Sequence, residues 1–232
     1  MNICIITEPL SANYGGILQN YALQTVLKRL GHNVYTFDVG KFNWADWITH
    51  SLAVTLHKIK GEDIHYLKNP YQRRKKEAPL RRFVDQNIDL VTPRQHLFNL
   101  ECLRKYNVEA FVVGSDQVWR PLYNHNIEDM FLAFAENVQC LRFSYAASFG
   151  TDVWEFSEKQ TRICKTYAKM FDAISVREFS GLKLCEEYLD VKAEHVLDPT
   201  MLLAKADYNQ LCLNVPSRKP YVLSYLLVVC KV

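Results

Sequence analysis

The chain carries little of what metal and redox proteins need. Its seven cysteines are odd in number, and the closest two, Cys212 and Cys230, lie 18 positions apart. Neither a CxxC knuckle nor a redox pair can be drawn, so no metal site is expected and the cysteine usage suits a reducing, cytoplasmic compartment. Glycine and proline are scarce at eight each, which excludes collagen-like and low-complexity architectures. Long apolar runs are also missing: the longest, Tyr221 to Cys230, covers ten residues, where a membrane span needs roughly 20. The opening MNICIITEPL has no cationic stretch and reads as a first strand, not as a leader. A Walker loop, a GxGxxG fingerprint, a nucleophile elbow and an HExxH pair are all absent.

What is present is the composition of an ordinary globular protein, 232 residues with 49% hydrophobic and 23% charged. That length accommodates one generous domain or one and a half. The formal net charge of +3 hides an asymmetry. Lys58 to Arg82 holds nine Lys/Arg against Glu62, Asp63 and Glu77, a local +6 that leaves −3 for the rest. Tyr66 and Tyr71 form no stacking series in that segment, so a solvated helical face is expected and nucleic acid is not. Arg73 to Lys76 is the place where an anionic lipid surface would be met, as a peripheral association.

Ile3 to Ile6 is a short apolar run followed by an unpatterned loop to Gly16. Leu23, Val26, Leu27 and Leu30 then repeat at helical spacing, Gly31 stops the helix, and Val34 to Phe37 is the next strand. Strand, loop, helix and strand in under 40 residues is a βαβ unit with parallel strands. Residues 41–95 read as a helical excursion that contains the basic segment. Further strands are expected at Ala110–Val113, Phe143–Ala147, Ala173–Val176 and His195–Leu197, with helices at Leu97–Tyr106, from Ser157 to about Met170, and at Gly181–Tyr188. Ser157 and Gln160 form a capping box, and Ile163, Tyr167 and Met170 share one helix face. The fold class is therefore α/β, a doubly wound, mostly parallel, Rossmann-like sheet.

The polar strings follow strands, at the carboxyl edge where open α/β sheets bind ligands. Asn13-Tyr14-Gly15-Gly16 opens the first helix, whose free N–H groups suit an anion or sugar phosphate; a plain tight turn is the alternative. Asp38 ends the second strand where a ribose-binding acid would stand, but the missing fingerprint weakens a dinucleotide reading. Gly114-Ser115-Asp116-Gln117-Val118-Trp119 offers a close backbone approach, a carboxylate, an amide and an aromatic face, the kit for holding a sugar. The alternative has Asp116 as a cap and Trp119 in the core. Arg177 is placed either to bind an anionic group in bidentate fashion or to pair with Glu178 or Asp198. His195, on a strand, reads as a structural histidine, and His32 as a surface one.

These strings together resemble the polysaccharide pyruvyl transferase family. The resemblance rests on Asn13 to Leu23 (NYGGILQNYAL), Leu30 to Val34 (LGHNV), Val112 to Trp119 (VVGSDQVW), Ser144 to Gly150 (SYAASFG), Ser175 to Gly181 (SVREFSG) and Val196 to Thr200 (VLDPT), in the family's order. It implies a GT-B-like fold of two Rossmann-like domains. It also implies transfer of the pyruvyl group of phosphoenolpyruvate to a sugar of a cell-surface polysaccharide, as a ketal with release of phosphate. Phosphoenolpyruvate is then a substrate and no cofactor is implied; the acceptor is a sugar or a lipid-linked saccharide. Carried over by position, Asp116 and Arg177 are the catalytic candidates. Asn13, Tyr14, Gly15, Gly16, Gln19, Gly114, Ser115, Gln117, Trp119, Ser148 and Glu178 are the substrate-binding ones.

The chain departs from the family's pattern at Arg120 and after Tyr221, where a second domain with a His-containing motif is expected and not found. Residues 1–215 are accordingly read as the Rossmann-like domain, and 216–232 as a linker and the first strand of a truncated C-terminal domain. The 232-residue chain alone is expected to be inactive. The alternatives are a GT-B-like sugar-nucleotide glycosyltransferase and a non-catalytic remnant or subunit. The acceptor sugar and the oligomeric state do not follow from the sequence.

Overall fold

In a computed structural model of the chain, residues 1–11, 13–38, 70–91, 103–124 and 126–212 are described. Seven parallel strands form one open sheet in the order β3-β2-β1-β4-β5-β6-β7. They are β1 (Asn2–Ile6), β2 (Asn33–Phe37), β3 (Leu90–Val91), β4 (Ala110–Val113), β5 (Leu141–Ala147), β6 (Ala173–Val176) and β7 (Glu194–His195). The α-helices are α1 (Tyr14–Arg29), α2 (Pro70–Asn87), α3 (Glu158–Ala168), α4 (Phe179–Leu184) and α5 (Lys205–Leu211). The chain divides into a unit Met1–Leu202, which contains the whole sheet, and a unit Leu203–Val232, of which α5 is described.

The central strands β1 and β4 are buried on both faces because they are nearly uninterrupted apolar runs. Alternate side chains of β1 and β4 serve opposite faces: Ile3, Ile5, Ala110 and Val112 pack under Leu23 of α1. Cys4, Ile6, Phe111 and Val113 face the larger core around Trp119, Phe131 and Cys164. From β1 the chain winds outward through β2 to β3, and from β4 it winds the other way to β7. The order therefore reverses between β1 and β4, and the crevice above their carboxyl ends is where a doubly wound sheet takes its ligand.

Three expectations shift in detail. The excursion over 41–95 is not wholly helical, because Leu90–Val91 forms the edge strand β3, registered Thr36 to Leu90 and Phe37 to Val91. Two residues give no periodicity to read, which is why the pattern hides it. The α1 stripe ends early: Leu30 is exposed, and the helix buries Gln19, Asn20 and Gln24. These amides are tied into the fold: Gln24 Nε2 donates to Thr36 Oγ1 and Asp89 O, both at 3.1 Å, and Thr36 Oγ1 donates to Asn20 Oδ1 at 3.0 Å. On α3 the buried face centres on Cys164 and Ala168, with Tyr167 packed beside them, because small residues let the helix approach the sheet closely. Its capping box stands as expected: Gln160 N donates to Ser157 Oγ, and Ser157 N donates to Gln160 Oε1 at 2.9 Å.

Part of the basic segment (residues 58–69), the start of the expected helix at Leu97–Tyr106, and the C-terminal strand and linker at 216–232 lie outside the described residues. Among the described residues no helix is long and apolar enough to cross a membrane, and no group of three or more metal-ligating side chains converges.

Candidate functional site

The loops after β1, β4, β5 and β6 meet at the carboxyl edge, and hydrogen bonds tie them into one network. Asn13 is the N-cap residue of α1, yet its side chain makes no bond to its own helix. Its Nδ2 instead donates to Asp116 Oδ2 at 2.7 Å, while the Gln117 N–H donates to Asp116 Oδ1 at 2.9 Å. A Cβ on Gly16 would stand 2.7 Å from Asp116 Oδ2. Asp116 therefore lies over the first turn of α1, where unpaired N–H groups and the helix dipole favour negative charge. The expected anion at this helix start is a carboxylate of the chain itself, which disfavours a phosphate there.

The loop after β4 takes backbone conformations that side chains rarely allow. Gly114 has φ +129°, and a Cβ there would strike Tyr145 O of β5; Asp116 has φ +66°. Gly150 has φ +69°, and a Cβ there would run into the Gln117 side-chain amide. Ala146 also sits in the left-handed region, at φ +51°, where β5 bulges between Ser144 and Ala147. The bulge is held by serines: the Ala146 N–H donates to Ser175 Oγ at 3.2 Å, and Ser175 Oγ donates to Ser144 O at 2.9 Å. Such conformations persist only where surrounding structure enforces them, and they cluster at functional sites.

Ser148 links this loop to the next. Its N–H donates to Asp116 O at 3.0 Å, and its hydroxyl donates to Glu178 Oε1 at 2.9 Å while accepting from the Gly150 N–H at 2.9 Å. Arg177 then joins Glu178 to Asp198: Nε donates to Glu178 Oε1 at 2.9 Å, and Nη1 donates to Asp198 Oδ2 at 3.2 Å. Gln19 Nε2 donates to the same Asp198 oxygen, while Thr200 N and Oγ1 donate to Asp198 Oδ1 at 2.9 and 2.7 Å. Burial alone would raise the Asp198 carboxyl, but the bonds from Thr200 and Gln19 and the Arg177 charge together hold it below the usual aspartate value. His195 Nε2 lies 3.0 Å from Arg177 O, and its ring stacks on Phe179 at 3.9 Å between centroids.

The network gathers Asn13, Gly15, Gly16, Gln19, Gly114, Ser115, Asp116, Gln117, Ser148, Arg177 and Glu178 along this edge, and Tyr14 opens α1 with 68% of its surface exposed. Trp119 does not belong with them. It is 0% exposed, its Nε1 donates to Met130 O at 3.0 Å, and Phe131 stacks on its face at 4.8 Å. That face is filled by the core and is not offered to a sugar. Arg177 takes the second of its two expected placements, already paired with both carboxylates. Arg120 is likewise engaged, by Glu155 at 3.0 and 3.2 Å and by Gln117 at 3.0 Å. Asp38, where a ribose-binding acid would stand, is closed off by Arg81 and by the Leu10 N–H. A dinucleotide has no acid to grip there.

Glu8 was not visible as a site residue in the sequence. It follows β1 directly, and Asn124 Nδ2 donates to its Oε1 at 2.6 Å. Burial, opposed by the Asn124 bond and reinforced by the Asp116 charge, raises its carboxyl above the usual glutamate range. Its position directly after a strand at the reversal point was the available signal. A separate groove of about 770 Å³ lies on the sheet face beside α1, lined by Leu27, Phe143, Tyr145 and Ser175. It reaches Met1, His32, Asp172 and Lys192 at the opposite edge of the sheet. Largely apolar, it lacks the converging polar groups of the carboxyl edge.

A family model described as polysaccharide pyruvyl transferase matches residues 13–230. No curated protein and no solved structure matches the chain. The matched span takes in every residue of the network, from Asn13 to Thr200, and leaves out Glu8.

Proposed function

The chain belongs to the polysaccharide pyruvyl transferase family, and on that premise we propose that it transfers the pyruvyl group of phosphoenolpyruvate to a saccharide of a cell-surface polysaccharide. In this reaction a sugar hydroxyl loses its proton as its oxygen bonds to C2 of the enolpyruvyl unit, and C3 takes up a proton. A second hydroxyl then bonds to C2 and displaces phosphate, its proton leaving with the phosphate, which closes the ketal. The chemistry needs a carboxylate to hold and deprotonate a hydroxyl, and cations for the donor's phosphate and carboxylate.

The observation that carries the reading is Asp116 at the strand-order reversal, gripped by Asn13 and the Gln117 N–H. A carboxylate so held keeps lone pairs for a sugar hydroxyl, and the amides of Asn13, Gln19 and Gln117 stand along the same edge. Arg177 is the donor-binding candidate. Its pairing with Glu178 and Asp198 presets the guanidinium, and it would have to share itself with the donor. The sugar-nucleotide alternative draws no support from the β2 end, where Arg81 occupies Asp38.

The test is release of phosphate from phosphoenolpyruvate in the presence of a saccharide acceptor, by the chain and by a form extended downstream. Loss of release in D116N is expected. Calorimetry with a UDP-sugar beside phosphoenolpyruvate separates the two transferase readings. Binding of the UDP-sugar alone, without phosphate release, refutes the pyruvyl transfer.

A further inference from the structure

A guanidinium sets the direction of an amide next to Asp116. Arg120 Nε and Nη2 donate to the two oxygens of Glu155 at 3.0 and 3.2 Å, which leaves Nη1 to donate to Gln117 Oε1 at 3.0 Å and to the Tyr123 hydroxyl at 3.4 Å. The guanidinium carbon also stands 5.0 Å from the Tyr123 ring centroid. Gly150 closes the same side of the amide, because its backbone comes so near that a Cβ there would strike Gln117 Oε1 and Cδ. On the other side, no hydrogen bond among the described residues engages Gln117 Nε2, and that atom keeps contact with solvent.

An arginine carries N–H donors and no acceptor, so the amide atom that faces it has to be the oxygen. The heading of Gln117 therefore follows from the chemistry of its neighbour, and what it has left for a ligand is a donor. Asp116, one residue earlier, is the opposite, since a carboxylate only accepts. The loop after β4 thus offers one acceptor and one donor from adjacent residues. A hydroxyl can use both, because its hydrogen donates and its oxygen accepts. A carboxylate or phosphate oxygen uses the donor alone and is repelled by Asp116.

We propose that Arg120 is a positioning residue: by holding Gln117 Oε1 it commits the Gln117 amide to donate to the oxygen of a substrate hydroxyl at the edge where Asp116 accepts. The assignment deepens the transfer reading and rests on it for the use made of that hydroxyl. As the hydroxyl gives up its proton, charge grows on its oxygen. A fixed N–H donor stabilises that charge more than it stabilises the neutral hydroxyl. Glu155 occupies two guanidinium nitrogens and so keeps Arg120 on its heading; Arg120 itself acts through Gln117.

The test is NMR on the full 232-residue chain with labelled glutamine, the Gln117 side-chain signals being assigned by their loss in Q117A. The wild-type Gln117 Cδ is expected downfield of an exposed glutamine, with Nε2 protons that exchange freely with water. R120M keeps the side-chain length, removes every donor and is expected to return Cδ to the exposed value. R120K keeps a donor and retains most of the displacement. E155Q, which loosens the guanidinium without removing it, is the second variant and lowers the displacement in part. Methyl glycosides of glucose, galactose and mannose are the probes, because the pair reads a hydroxyl and no ring configuration; acetate is the acceptor-only control. At least one glycoside is expected to move the Gln117 Nε2 signals and acetate to leave them in place. R120M is expected to weaken the glycoside by about fivefold, the loss of one neutral hydrogen bond. Thermal unfolding of each variant separates loss of binding from loss of fold. A wild-type Cδ at the exposed value overturns the proposal, as does a Cδ that R120M and E155Q leave unmoved, or a wild type that responds to no glycoside. A chain that shows the expected pattern, while its form extended downstream releases no phosphate from phosphoenolpyruvate in the presence of a saccharide acceptor, refutes the transfer reading and supports the Arg120 assignment.

Discussion

Asn13 Nδ2 and Asp116 Oδ2 lie 2.7 Å apart across 103 residues of sequence, and that bond joins the start of α1 to the loop after β4. Asn13 leaves its own helix uncapped to make it. The bond is solvent-accessible, so N13A is expected to cost about 0.5–1.5 kcal/mol of stability. In the form extended downstream, phosphate release is expected to fall by tenfold or more, because Asp116 loses the donor that orients it. N13D sets two carboxylates together and is expected to be worse than N13A in both respects. Thermal unfolding and the phosphate assay, run on both variants, check the order.

Gly114 and Gly31 both have positive φ but differ in what surrounds them. Around Gly31, at φ +87°, a Cβ meets nothing within 4 Å, whereas at Gly114 it strikes the Tyr145 carbonyl. G31A is expected to cost about 1 kcal/mol from the backbone conformation alone. G114A adds displacement of β5 and is expected to cost about 3 kcal/mol or more. Urea unfolding of the two variants measures the difference; equal midpoints refute the close approach.

Trp119 is a core residue by its burial and its stacking on Phe131. W119A is expected to lose about 3–5 kcal/mol and to unfold at a much lower temperature. W119F leaves Met130 O without its indole donor and is expected to cost about 1–3 kcal/mol, with acceptor binding unchanged. A W119F chain that folds as the wild type does but loses saccharide binding would return this residue to the site.

Asp129 contributes to the pH dependence of stability. Burial, with the charge of Glu128 added, pushes its carboxyl up to about 6. The folded state therefore binds more protons than the unfolded one between about pH 4 and 6. Stability falls as pH rises through that window and levels off above it. With the residue partly solvated, about 1 kcal/mol is at stake. D129N is expected to raise the melting temperature at pH 7.5 by a few degrees and to give no gain at pH 4. A gain of equal size at both pH values rules out this titration.

Much of the fold was legible in the sequence because local signals agreed. β4 and β6 coincide with their apolar runs, and the Ser157 capping box starts α3 where its spacing says. β3 escaped because two residues at an edge have no periodicity, and the amide-rich face of α1 escaped because Gln19, Asn20 and Gln24 are buried only by virtue of long-range partners.

The sequence by itself determined which residue types follow each strand, and so that a polar edge exists: strand period, glycine stops and the order of the strings are local properties of the chain. Only the tertiary structure decided which of those residues meet. Asp116 rests on the first turn of α1, Arg177 pairs with Glu178 and Asp198, Trp119 is sealed in the core, and Glu8 feels the charge of Asp116. The reason is physical. Strand order, register and burial are set by packing between segments distant in sequence, such as β1 and β4, where Ile3 registers on Ala110, and hydrogen-bond partners follow from that packing.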